Sequence, residues 1–320
     1  MTSLNSALVM ARLSVRNYSK NHNKKKKLQF YLIIEFDRLM NNIKYRLFFI
    51  SGLLLLGILS SCSMERKLAQ GFINNPPPIS IQLFSPDGLD KFSHKGELIQ
   101  GFDSLSNDRQ DSALYYSSKF IQYIDDSIFL EKYINSFIDE LRSLGFNVFV
   151  EESIDTFLKT QPQSYLLTIS RVQLDEYIYP LEDSAEFGDS TFYKRFDLNA
   201  VDASSWFEIS KMNTPKPVRT VLHSKFTATD SFDGKFVLNG FLSNVLYKYR
   251  IDSLNIQDLY DLAAYAGRKH ASYLFDYFMN KYVAFHLPEG EEMQDYLHYD
   301  HAGKFLGTTD EDRFDIVTSN

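Results

Sequence analysis

One cysteine in 320 residues, and the place it occupies, set the first limits on this chain. Cys62 follows a basic stretch, Lys44-Tyr45-Arg46, then a largely apolar run from Leu47 to Leu59, then Ser60-Ser61. A basic start, a short apolar core and small residues before a cleavage point are the marks of a secretory signal. A spanning helix needs about 20 apolar residues, whereas this run has 13 and is weakened by Gly52 and Gly57. With its one thiol at that position, the exported part forms neither an internal disulfide nor a thiolate metal site. The 259 residues from Cys62 onward are enough for one large domain with its own core, or two small ones.

Leu59-Ser60-Ser61-Cys62 resembles the lipobox of bacterial lipoproteins, where a branched apolar residue and two small ones precede the modified cysteine. Small side chains let a peptidase close on the backbone, and a thiolate readily forms a thioether to a glyceride. The resemblance implies that Cys62 becomes the first residue and carries acyl chains on sulfur and on its amino group, palmitate among them. Each buried methylene contributes about 0.8 kcal/mol, so two or three chains anchor where one is marginal. It also implies an outer-membrane position, because Ser63 rather than Asp follows the cysteine. Met64-Glu65-Arg66-Lys67 lacks the acidic run that sends some lipoproteins to the cell surface, so the domain is expected to face the periplasm.

The expected organisation is a signal peptide over 40–61, a lipidated tether over 62–78 ending in the stiff Pro76-Pro77-Pro78, and one domain over 79–320. Ten basic and two acidic residues precede Cys62, which leaves 24 basic and 39 acidic ones after it, a formal charge of −15. Such a surface repels phosphate backbones, so nucleic acid is not an expected partner. The membrane is expected to be reached through acylated Cys62 rather than through a basic patch.

Alternation of Ile79, Ile81 and Leu83 with polar residues predicts a strand over Ile79 to Phe84, and Ser85-Pro86-Asp87-Gly88 a turn. Residues 89–112 read as a long loop with at most a hairpin in it. Leu130, Tyr133, Ile134, Phe137, Ile138, Leu141 and Leu144 recur at helical spacing between a cap at Asp125 to Ser127 and Gly145. A buried strand over Phe146 to Val150 completes a strand-helix-strand crossover. Four extended segments follow, Tyr165–Tyr177, Asn199–Lys211, Val218–Asp230 and Lys235–Ile251, with Asp233-Gly234 as a hairpin signal. A long helix from about Ile256 to Tyr282, capped by Asn255, precedes a last hairpin around His301-Ala302-Gly303. The expected fold is a two-layer α/β (α+β) sandwich, a mixed and mostly antiparallel sheet with helices packed on it.

His298, Asp300 and His301 form the one compact cluster of metal-type ligands. Strand alternation would put His298 and Asp300 on one face and His301 elsewhere, so a solvated hairpin is the expectation. No Gly-x-Ser-x-Gly elbow, phosphate loop or dinucleotide fingerprint occurs in the chain, and no cofactor or metal is expected. Adjacent acidic pairs such as Asp125-Asp126 and Glu151-Glu152 are ordinary in so acidic a chain. The single tryptophan, Trp206, and Tyr247, Tyr249, Tyr273 and Tyr277 are the candidate contacts for a ligand or partner, the tyrosines along a groove where sheet meets helix.

This order of elements resembles the small α/β domains of periplasmic accessory lipoproteins. These are the auxiliaries of lipid-exporting ABC systems, the activators of penicillin-binding proteins and the amino-terminal domain of TolB. The resemblance covers residues 79–285 as topology and implies a non-enzymatic binding or accessory role in transport or envelope assembly. The alternatives are an envelope hydrolase acting on glycan or peptide through Asp300 and His301, and a purely structural envelope lipoprotein.

A usual signal peptide has about 15 to 30 residues, which Met40 to Ser61 satisfies and Met1 to Ser61 does not. Translation from Met40 is therefore expected, with 1–39 as an upstream extension. Mass spectrometry of cell digests should find no peptide between Thr2 and Arg38; finding one would overturn that start site.

Overall fold

The computed structural model describes residues 64–320 except 161–162, 213, 215–218, 241–243, 310–312 and 318–320, so Cys62 and the signal segment lie outside the described residues. Residues 64–320 form one compact unit. Its fold is α/β, a mixed sheet with helices packed against it, as the patterning of the sequence implies.

The unit begins earlier than expected. Instead of a tether, Met64–Asn74 is a helix, α1, with Ala69 and Phe72 buried. The Phe72 ring meets Phe275 at 5.4 Å and Tyr282 at 5.3 Å, and Glu65 accepts a hydrogen bond from the Gln294 backbone. The polar residues that obscured this helix cover its outer side.

Strand β1 (Ile79–Phe84) forms where its alternation predicts. The expected loop over 89–112 is instead β2 (Leu89–Ser93), two short 3-10 turns and helix α2 (Asn107–Ser117). Helix α3 (Asp126–Ser143) starts where Asp125 Oδ1 accepts the Ile128 N–H and is followed by Gly145 at φ +91°. That left-handed conformation is cheapest for glycine. Strand β3 (Asn147–Phe149) is shorter than expected and half-exposed rather than buried, because it pairs only with β1 at the edge of the sheet.

After a one-turn helix, α4 (Ile154–Phe157), come β4 (Gln163–Phe187), β5 (Ser190–Lys211) and β6 (Arg219–Thr229). β1 and β2 lie end to end along one edge of β4, both parallel to it, β1 against 163–168 and β2 against 172–176. β5 and β6 follow antiparallel on the other side, and β11 (Asp315–Val317) adds to β6. Beyond Glu176 and Ala200, β4 and β5 run on as a two-stranded ribbon to a turn at Gly188-Asp189. Gly188 has φ +62°, which the first residue of a type II′ hairpin turn requires.

The last extended segment is two strands, β7 (Ser231–Asn239) and β8 (Asn244–Asp252), a second ribbon in a sheet of its own. Asp233-Gly234 is not its turn. The pair sits inside β7, opposite Arg250 and Tyr249. A Cβ on Gly234 would collide with the Phe232 ring and the Tyr247 hydroxyl, so glycine is there to let aromatic side chains fold over the backbone. Phe196 of the first ribbon packs at 4.7 Å from both Phe232 and Tyr249, and Tyr247 donates to Asp183 Oδ2 at 2.6 Å. Together the ribbons make an arm.

Helix α5 (Ile256–His286) carries the capping box its sequence promises: Asn255 accepts the Gln257 and Asp258 N–H groups while Asp258 accepts that of Asn255. Its small residues Ala263, Ala266 and Gly267 let α3 approach, and a Cβ on Gly267 would overlap the Tyr133 carbonyl. Phe137 of α3 stacks on Phe207 of β5 at 5.8 Å, closing the core between helices and sheet. Each such ring contributes roughly 1.5–3 kcal/mol by leaving water. The final hairpin, β9 (Leu297–Asp300) and β10 (Phe305–Thr308), turns through His301-Ala302-Gly303 as expected.

The arm is fixed at its base by buried polar groups. Glu176 is fully buried and accepts from Lys95 Nζ at 2.6 Å and from the backbone N–H groups of Lys119, Phe120 and Ile121 at 2.7–3.1 Å. Lys95 also donates to Asn199 Oδ1 at 2.9 Å, and Asn199 donates through backbone and side chain to Asp230. Asp230 accepts the Leu254 N–H just ahead of α5. Burial alone would raise the Asp230 carboxyl; the hydrogen bonds from Asn199 and Leu254 hold it below the usual carboxylate range. Replacing Lys95→Met strands the Glu176 carboxylate and should cost about 3–5 kcal/mol in urea unfolding; a loss under about 1 kcal/mol would show the pair to be dispensable.

Candidate functional site

The candidate residues named from the sequence fall in separate places. Trp206 lies on β5 and is half-buried on the face turned away from the helices, since Phe207 beside it points into the core. Its ring sits 4.6 Å from His223 and 5.3 Å from the Arg171 guanidinium. Arg171 also covers Phe92 at 5.7 Å and pairs with Asp90 at 2.5 Å, so the indole belongs to a stack already filled by protein groups. Along the same face, Asp202 accepts from Tyr177, Lys225 and Thr227 at 3.1, 2.9 and 2.6 Å.

The four tyrosines are not brought to one groove. Tyr247 and Tyr249 lie in the arm, 6.3 Å apart, with Tyr249 56% exposed. Tyr273 and Tyr277 lie on α5. Tyr273 packs on Phe226 and Phe314 and beneath Arg313, while Tyr277 packs on Phe278 and Lys281. Helical spacing and strand alternation carry no information about which strand faces which helix.

In the last hairpin, Asp300 Oδ1 accepts the Ala302 and Gly303 N–H groups at 3.0 and 3.2 Å. These bonds, that of Gly303 first, hold its carboxyl below the usual range. The His301 ring is wedged edge-on between Phe275 and Tyr299 at 4.6 and 4.5 Å, and burial pushes its imidazole down. His298 turns to α5, where Asp276 accepts at 2.8 Å and also binds the Tyr299 N–H. Asp276, entirely buried in the helix, thus pins the hairpin to α5, with Asn280 bridging to both backbone groups of Leu297. Asp300 serves the turn, and the histidines serve packing. Among the described residues no group of three His, Cys, Asp or Glu side chains is placed to hold a metal ion.

Two groups escaped the sequence reading. His94 lines a cleft of about 590 Å³ and bonds Asp175 Oδ1 at 2.8 Å, while Gln173 orients the other carboxylate oxygen at 2.6 Å. A histidine oriented by a carboxylate is half of a nucleophile-activating set. Two hydroxyls line the same cleft: Ser93, whose buried Oγ has no hydrogen-bond partner among the described residues, and Ser104, whose Oγ donates to the Gly101 carbonyl at 2.6 Å. The second group is His270, fully buried among Phe207, Phe226 and Phe314 and sharing a 2.8 Å hydrogen bond with Tyr133. Burial, aided by His223, pushes it down to about 3. One sequence signal existed: it continues the apolar stripe of α5 four residues after Ala266.

His270 makes stability depend on pH. The unfolded chain takes up a proton near pH 6.5 and the folded one near 3, so the neutral buried ring supports the fold fully above 6.5 and loses its contribution as pH falls toward 3. The slope is at most about 1.4 kcal/mol per pH unit. Urea unfolding of His270→Gln should show a flatter decline between pH 6.5 and 4 than the parent; parallel curves would refute this assignment.

Among the described residues no helix is long and apolar enough to cross a membrane. No protein-family model matches the chain, and no curated protein is detectably similar to it.

Proposed function

We propose that the chain is a lipid-anchored envelope protein that binds a partner protein as an accessory of transport or envelope assembly, held at the outer membrane and facing the periplasm. The anchor half of this reading rests on Leu59-Ser60-Ser61-Cys62 with the basic and apolar segments before it. The binding half is carried by one observation, the arm. Its two ribbons leave Tyr179, Tyr193, Leu238, Leu246, Tyr249 and Ile251 exposed, with Tyr193 at 77%. Apolar residues gathered on a projecting element mark interaction surfaces more than scattered ones do, and tyrosine is a favoured anchor there. The buried network at the base favours the same use, because a rigid mount lowers the ordering cost of binding.

Catalysis through Asp300 and His301 has less support, since one is engaged by turn amides and the other is enclosed by rings. Two measurements test the proposal. Cells fed labelled palmitate should label the parent protein and not Cys62→Ala; equal labelling removes the anchor. A photo-crosslinking residue at Tyr193 should give one discrete adduct in intact envelopes, whereas one at the equally exposed Tyr116 on α2 should not. Indistinguishable patterns from the two sites would remove the arm as the binding surface.

A further inference from the structure

At the end of α5 opposite its Asn255 cap, a cleft of about 360 Å³ opens between α5, α1 and the start of β4. Phe72, Tyr165, Phe278 and Tyr282 supply its aromatic walls, with Tyr165 and Phe278 4.8 Å apart. Phe285 stands at the mouth, 83% exposed in the last turn of the helix. Set at the rim of a cleft with aromatic walls, this ring extends the apolar surface that a ligand could cover.

The rim is basic. Lys211, at the end of β5, and Lys281, on α5, both line the cleft. Neither forms an ion pair among the described residues. In a region with 39 acidic and 24 basic residues, two lysines without carboxylates at one mouth are a local reversal of sign. The helix end works against them with roughly half a negative charge. His286, whose Nδ1 donates to the Tyr282 carbonyl at 2.8 Å, already engages one of its terminal oxygens, and two full positive charges outweigh the rest.

We infer that this cleft binds a free single-chain anionic amphiphile of the long-chain fatty acid type, its hydrocarbon along Pro77, Tyr282 and Phe285, which keep accessible surface in the lining, and its carboxylate at Lys211 and Lys281. The volume lies at the low end of the 300–1,000 Å³ usual for small-ligand sites, which suits one acyl chain and not a two-chain lipid. Lysines act as point charges on flexible stems, so they receive a carboxylate without a fixed fork geometry. The inference extends the binding reading above to a second site and needs neither the anchor nor the arm.

Full-length protein in neutral phosphatidylcholine vesicles, irradiated with a diazirine analogue of palmitic acid, tests it. Adducts should concentrate on peptides carrying Pro77, Tyr282 and Phe285, and excess palmitate should displace the label while hexadecanol does not. Lys211→Glu combined with Lys281→Glu should cut labelling at least tenfold, and Phe285→Ala severalfold. Lys269→Glu, the same charge change elsewhere on α5, should leave it intact. All four side chains are exposed, so folding, checked by circular dichroism, should survive. Adducts spread over the arm, displacement by hexadecanol as good as by palmitate, or indifference to the double reversal would each overturn the inference. Crosslinking from Tyr193 is read separately, so the arm's role stands or falls independently of this result.

Discussion

Glu176 decides where the sheet stops being a sheet. It is the last residue of β4 to face β2, and beyond it β4 and β5 leave the body of the domain. A carboxylate taken wholly out of water is costly unless its oxygens are satisfied. Here one lysine and three backbone N–H groups satisfy them, drawn from chain segments 81 and 55–57 residues away in sequence. Lys95 then extends the network through Asn199 to Asp230 and the entry to α5. The base of the arm, the two connections beside β2 and the start of the longest helix are thereby tied to one buried charge.

That tie explains the asymmetry of the sheet. Toward the helices, Leu167, Ile169, Val172, Leu174, Val201, Ala203 and Phe207 are apolar and buried. Away from them the groups are polar and paired: Arg171 with Asp90, Gln173 with Asp175, and Tyr177, Lys225 and Thr227 with Asp202. A strand buries one face and wets the other as long as its register is held. The irregularity between Ile169 and Arg171 shifts the alternation by one residue, and without that shift Leu174 and Glu176 would face the wrong side.

Elements with strong local signals were legible. β1 has a clear period, and α3 and α5 each combine one with a cap whose hydrogen bonds form at Asp125 and Asn255. What escaped was stabilised from a distance. Leu89–Ser93 is a strand because half of the β4 edge is vacant beside it, and α2 has no buried residue to give it a stripe. The outer ribbon alternates only weakly, since it is covered by another ribbon and not by a core. Asp233-Gly234 shows the converse error: a dipeptide read as a turn was selected for the space it leaves to Phe232 and Tyr247. Of the candidate site residues, Trp206, the arm tyrosines and the helix tyrosines share composition alone, and the fold sets them in separate places.

The chemistry of the domain follows from how its polar groups are used. Four carboxylates hold the fold: Asp300 its hairpin turn, Asp276 the same hairpin against α5, Asp230 the junction of β6 with β7, Glu176 the base of the arm, whereas Asp175 orients His94 at a cleft. Exposed apolar surface, by contrast, is spread along the arm and stands at the end of α5. Folding has used these polar groups for specificity of the fold, and burial of the rings left in water along the arm and at the end of α5 is what a second molecule can still supply.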